Sequence, residues 1–203
     1  MEEILRYGRS AFINTAIAAA NVLFFLYLEL IGSTEDGIFM IAHGAMFSPL
    51  VLEKHQYGRL LTSIFMHFGV SHLMNNMLIL LILGEKLERI LGHAKYLIFY
   101  LMCGIAANLI SMGVHQYLGE IVIGAGASGA IFGVIGGLVW AAARNRGRLQ
   151  QLTSRQLGII LVIVLYYGFS SRNIDNWAHL GGLAAGILLC ILMYRRPKAV
   201  RGA

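Results

Sequence analysis

Residues 124–143 read GAGASGAIFGVIGGLVWAAA, with Ser128 at the head of an apolar run and only Gly126, Ala127 and Gly129 beside it. A serine in an apolar helix is ordinary, but this one has small neighbours that leave its hydroxyl unscreened. A helix starting at Ser128 also turns free backbone N–H groups toward that hydroxyl. The lead-in Gly124-Ala125-Gly126-Ala127 is non-helical in type. About fifty residues later, His179 opens a second apolar run. The pairing points to a nucleophile and a base inside a membrane.

Composition places the chain among membrane proteins. Of its 203 residues 58% are hydrophobic and 13% charged, with a mean hydropathy of +0.70, far outside the range of a soluble domain. Six apolar runs approach the roughly 20 helical residues that cross a bilayer: about 11–31, 71–91, 95–117, 128–143, 155–171 and 177–194. The expectation is an all-α integral membrane protein of six transmembrane helices in one membrane domain, 1–203. Arg6, Arg9 and Ala18-Ala19-Ala20 imitate a signal peptide, but the apolar run continues through Leu26 and is too long for one. Cys103 and Cys190 fall inside spans, where they pack as small apolar residues.

The basic residues orient the bundle. With a cytoplasmic N-terminus, the inner segments hold Arg6 and Arg9, then Lys86, Arg89 and Lys95, then Arg144, Arg146, Arg148 and Arg155, and finally Arg195, Arg196, Lys198 and Arg201. Only Lys54, Arg59 and Arg172 remain outside. The positive-inside rule then makes both termini cytoplasmic. The formal charge of +6 reflects this topology rather than a nucleic-acid partner, because the cations are spread over four segments. Residues 32–58 form a long first loop whose apolar stretches, Ile38-Phe39-Met40-Ile41 and Pro49-Leu50-Val51-Leu52, are too short to span and suit an interfacial segment.

In this topology the second, fourth and sixth spans run inward, and His72, Asn76, Ser128 and His179 lie toward their outer ends. Residues 128–143 extend only about 24 Å at 1.5 Å per residue, so Ser128 lies below the outer surface. Irregular backbone at that depth must be shielded by protein or line a wet cavity. A water-containing pocket opening outward is therefore expected.

These residues resemble the rhomboid family of intramembrane serine proteases. The likeness covers nearly the whole chain: six spans, the long first loop, Gly126-Ala127-Ser128-Gly129, Ala178-His179-Leu180-Gly181-Gly182, and His72-Leu73-Met74-Asn75-Asn76. It implies a rhomboid-like bundle with Ser128 as nucleophile and His179 as general base. His72, Asn76 and the Ser128 N–H would form the oxyanion hole, and Phe132 would stack on His179. Gly126 and Gly129 support the motif. Arg59 occupies the place of the family's arginine before the second span, whereas Gly58 stands where many members have Trp. The implied activity is hydrolysis of peptide bonds in or beside transmembrane segments, on substrates in the lipid bilayer. The alternative is a catalytically inactive rhomboid-like binder of transmembrane helices.

The chemistry of the residues agrees with the resemblance. Serine needs a base within hydrogen-bond reach, and His72 and Asn76, at i and i+4, share a helix face from which both can meet a developing oxyanion. Competing readings are structural. Gly129, Gly133, Gly137, Gly182 and Gly186 suit close helix packing, Asn76 suits an interhelical hydrogen bond, His67 suits a loop brace, and Asp175 suits a helix N-cap rather than a triad member. No H-E-x-x-H motif or inward ligand cluster is present, so neither metal nor cofactor is expected. A transporter would carry several buried ionisable groups along a pathway. The fifth span ends in Tyr166-Tyr167-Gly168-Phe169, where Tyr167 and Phe169 suit either an interfacial aromatic belt or a latch of the fifth span against the second that gates substrate entry.

Overall fold

A computed structural model describes residues 11–145, 148–149, 152–170 and 175–195. Apolar helices occupy the positions of all six expected runs: α1, Phe12–Ile31; α5, Gly69–Leu91; α6, His93–Leu118; α7, Ser128–Arg144; α8, Ser154–Ser170; and α9, Asn176–Met193. Among the described residues, α1, α6 and α9 are each long and apolar enough to cross a membrane. α4, Arg59–Phe65, meets α5 at an 89° bend, and this pair has the combined length and apolarity of a further span. The bend falls at Gly69, whose φ of +72° favours glycine. The side chains of Tyr167 and Phe169 lie outside the described residues.

Between α1 and α4 the chain makes two short helices, α2 at Gly37–Ala42 and α3 at Ser48–Leu52, separated by strand β1 at Met46–Phe47. β1 pairs antiparallel with β2, Ile123–Gly124, with Met46 opposite Gly124 and Phe47 opposite Ile123. This two-residue ladder ties the first connection to the lead-in of α7. A second small ladder pairs Arg148–Leu149 with Leu152–Thr153 between α7 and α8.

α7 sits at the centre because its residues are small. Residues 129–138 are all buried, and added Cβ atoms show how close the neighbours come. One at Gly182 would lie 2.0 Å from the Gly129 carbonyl oxygen, and one at Gly186 would lie 2.0 Å from that of Gly133. α7 and α9 therefore touch backbone to backbone. On its other side α7 meets α6, where a Cβ at Gly129 would be 2.5 Å from Ala107 Cβ and one at Gly133 would be 2.4 Å from Cys103 Cβ. The glycines lower helix propensity by roughly 1 kcal/mol each relative to alanine. Between apolar helices the gain is the dispersion contact that such close approach allows. Cys103 and Cys190 are both buried and unbridged.

The end of the bundle remote from Ser128 is held by polar groups. Glu88 of α5 is fully buried and accepts the N–H groups of Ile13, at 3.1 Å, and Asn14, at 2.6 Å. It thereby caps α1, whose N-cap position, Ala11, has no side-chain acceptor. Asn14 donates to the Leu80 carbonyl at 3.0 Å and accepts from the Tyr96 hydroxyl at 2.6 Å. α5 makes a π-helical turn at Leu80–Gly84 on this contact. A Cβ at Gly84 would collide with Asn14 Oδ1 at 2.1 Å.

Candidate active site

Ser128 is half-buried at the first position of α7, and the two residues before it are held by separate partners. Gly126 has φ of +141°, a conformation that favours glycine, and its N–H donates to the Ser63 carbonyl at 2.9 Å. Ser63 also meets α6, where Asn108 Nδ2 donates both to Ser63 Oγ and to the Leu60 carbonyl, each at 2.9 Å. The Ala127 N–H donates to Nε2 of the fully buried His67 at 3.4 Å. His67 is thus a brace on the lead-in to Ser128.

His72 lies directly against this lead-in. A Cβ at Gly126 would be 3.0 Å from His72 Nε2 and 3.6 Å from Ser128 Oγ, so the missing side chain opens the space between imidazole and hydroxyl. The His67 and His72 rings meet edge to face at 5.1 Å. Asn76, one turn further along α5, is buried, and its Nδ2 donates to the His72 carbonyl at 2.9 Å. The amide has two N–H groups, so one stays available beyond this bond.

His179 is buried on the first turn of α9 and stacks on Phe132, with ring centroids 4.2 Å apart and planes 13° from parallel. Phe132 is one turn below Ser128 on α7, which places the imidazole beside the serine-bearing turn. The Gly129–Gly182 contact brings the two helices together at this same level. Among the described residues Ser128 and His179 form no hydrogen bond to each other, and His179 Nδ1 has no hydrogen-bond partner. Such bonds are often long in the absence of substrate.

Asp175 positions the start of α9. Its Oδ1 accepts the Ala178 N–H at 3.0 Å, which makes it the N-cap. Asp175 Oδ2 accepts from Ser111 Oγ, and His115 Nε2 lies 3.4 Å from Oδ1, while His115 Nδ1 faces Glu120 at 2.8 Å. The end of α6 therefore clamps the helix that carries His179. In the sequence Ser111 carries no mark of its own, and His115, at a span end, reads as a solvated or interfacial histidine rather than a partner of Asp175. Their signal was the spacing of Asn108, Ser111 and His115, at i, i+3 and i+7, which forms one polar stripe on an apolar helix. Among the described residues no group of three or more His, Cys, Asp or Glu is placed to hold a metal ion.

Apolar helices packed through glycine around a serine at a helix start define a helical integral membrane protein. The rhomboid domain profile matches residues 54–196, and the chain belongs to the rhomboid family. It is 36% identical over 196 residues to "Rhomboid protease GluP" of Bacillus subtilis (strain 168), covering 97% of this chain and 37% of that protein. It is 32% identical over 156 residues to "RHOMBOID-like protein 1" of Arabidopsis thaliana, covering 76% of this chain and 39% of the relative. With "Rhomboid-like protease 3" of Toxoplasma gondii the identity is 32% over 152 residues, covering 72% of this chain and 55% of the relative. The chain thus spans 37–55% of the length of these relatives.

Proposed function

We propose that the protein is an intramembrane serine endopeptidase acting through a Ser128–His179 dyad. The observation that carries this reading is convergence on one turn: Gly126 meets His72 on one side of Ser128, and Phe132 stacks on His179 on the other. His179 takes the Ser128 proton as the hydroxyl attacks the scissile carbonyl, then returns it to the leaving amine. Phe132 and the capped start of α9 orient the imidazole in place of a third triad member. The tetrahedral oxyanion is received by the Ser128 N–H at the helix start, the free Asn76 N–H and His72.

In this reading α1, α5, α6, α7, α8 and α9 are six spans of one membrane domain, and residues 32–58 lie at the interface. Both termini are cytoplasmic and the site opens outward, in accord with the distribution of Lys and Arg. Substrates are membrane proteins whose transmembrane segments carry Gly, Pro or polar residues, because a peptide bond inside an intact helix is shielded by its own hydrogen bonds. A small residue before the cut suits the Gly/Ala surroundings of Ser128. The second reading is a catalytically inactive binder of transmembrane helices.

Fluorophosphonate labelling of the detergent-solubilised protein separates the two. The endopeptidase reading expects modification at Ser128, abolished by Ser128→Ala and by His179→Ala, with proteolysis lost in parallel. The double variant should be no worse than the worse single, since the pair acts as a unit. An unlabelled, inactive wild type would establish the binder.

A further inference from the structure

A shallow, open surface groove of about 340 Å³ lies between the first connection and α4, lined by His43, Gly44, Gln56, Gly58, Arg59 and Thr62. It lies at the Ser128 end of the bundle, because Thr62 precedes Ser63, whose carbonyl holds Gly126. Its floor is open at Gly58, where an added Cβ would meet nothing within 4 Å. Its wall is fixed where Thr62 Oγ1 donates to the Gly44 carbonyl at 2.7 Å.

The donors in this groove are arranged for an acceptor that the described residues do not supply. Arg59 Nη1 donates to the Ile41 and Ala45 carbonyls, at 2.6 and 2.8 Å, and Nε donates to Gln56 Oε1 at 2.6 Å. Three of the five guanidinium N–H groups are thereby used, and the group is locked. The two on Nη2 have no partner among the described residues, and Arg59 forms no ion pair there. Because Gln56 Oε1 accepts from Arg59, the Gln56 amide turns its own N–H groups away from that bond, again without a protein partner among the described residues. A half-buried cation and a fixed amide donor thus stand together with no carboxylate lining the groove.

The surroundings are apolar. Leu61 is 41% exposed and lies three residues beyond Gly58 on the same face. Ile38 is 80% exposed and lies one turn before Ala42, the residue that precedes His43. A soluble anion gains nothing from these side chains, whereas an acyl chain does.

We propose that this groove binds the phosphodiester headgroup of a membrane lipid, with Arg59 Nη2 and Gln56 Nε2 donating to the phosphate oxygens and the acyl chains running over Leu61 and Ile38. The guanidinium is held by protein carbonyls before the lipid arrives, so little side-chain entropy is lost on binding. The headgroup also supplies a counter-charge that Arg59 does not receive from the described residues.

The test is native mass spectrometry of the whole chain in neutral maltoside detergent, titrated with dioleoyl phosphatidylglycerol. Wild type should retain one tightly held lipid. Gly58→Trp, which fills the open floor and leaves Arg59 in place, should weaken that retention about tenfold or more, the scale of a lost charge-assisted hydrogen bond. Gln56→Glu, an exposed substitution that replaces a donor by a negative charge, should do the same and serves if Gly58→Trp does not purify. Inorganic phosphate at millimolar concentration should leave the lipid bound. Equal retention by wild type and both variants would overturn the site. Displacement of the lipid by inorganic phosphate would overturn the lipid assignment and make the groove a site for a soluble anion.

Discussion

Asn76 is where the chemical and structural roles of one side chain can be separated. Its Nδ2 already donates to the His72 carbonyl at 2.9 Å, so only the second N–H is open to an oxyanion. Under the proposed mechanism Asn76→Ala should lower kcat by about 10²–10³, the usual effect of one lost oxyanion donor, with KM little changed. Ser128 should still react slowly with a fluorophosphonate. Normal turnover combined with a lower melting temperature would instead assign the amide to holding α5 together. Gly126 is the harder position to vary, because it combines a positive φ with contact to His72.

Among the elements, the glycine seam between α7 and α9 governs how near His179 comes to Ser128. Gly182→Ala puts a methyl 2.0 Å from the Gly129 carbonyl oxygen and must push the helices apart. It should lower thermal stability and activity together. Gly113 in α6 is the contrasting site, since an added Cβ there meets nothing within 4 Å. Gly113→Ala should raise stability by up to about 1 kcal/mol through helix propensity alone, leaving activity unchanged. Melting curves on the purified variants check both. This seam was legible in the sequence because glycines four residues apart on two apolar runs have few other uses. The helices were legible too, as the apolar run 128–143 and the helix Ser128–Arg144 show. The β1–β2 ladder was not, because two-residue strands carry no period to detect. Phe132 on His179 followed from the i+4 spacing to Ser128, together with the family likeness. The clamp from Ser111 and His115 to Asp175 requires knowing that the ends of α6 and α9 adjoin, which neither run declares by itself.

For the molecule as a whole, the proposed chemistry uses side chains and backbone only. Proteolysis should therefore survive prolonged treatment with EDTA or phenanthroline, assayed on a transmembrane substrate in detergent. Loss of activity with recovery on added zinc would reverse that expectation. The two ends of the bundle are built separately: Gly126, His67 and His72 at one, and Glu88, Asn14 and Tyr96 at the other. α5 serves both ends, and the π-helical turn at Leu80–Gly84 stands between them. Such a turn holds one residue more than regular helix would, and one residue corresponds to about 100° of rotation about the axis. α5 therefore works as a phase shifter: the half bearing His72 and Asn76 and the half bearing Glu88 each point where they must, although regular winding through the same number of residues would turn one of them away. Deleting Ile82 would remove the extra residue and let regular helix join the two halves in their present orientations. Glu88 should then stay at the start of α1 and His72 at Gly126, so the one-residue deletion should keep Ser128 labelling; loss of labelling would show that the wide turn itself, and not the phase it sets, is what the site requires.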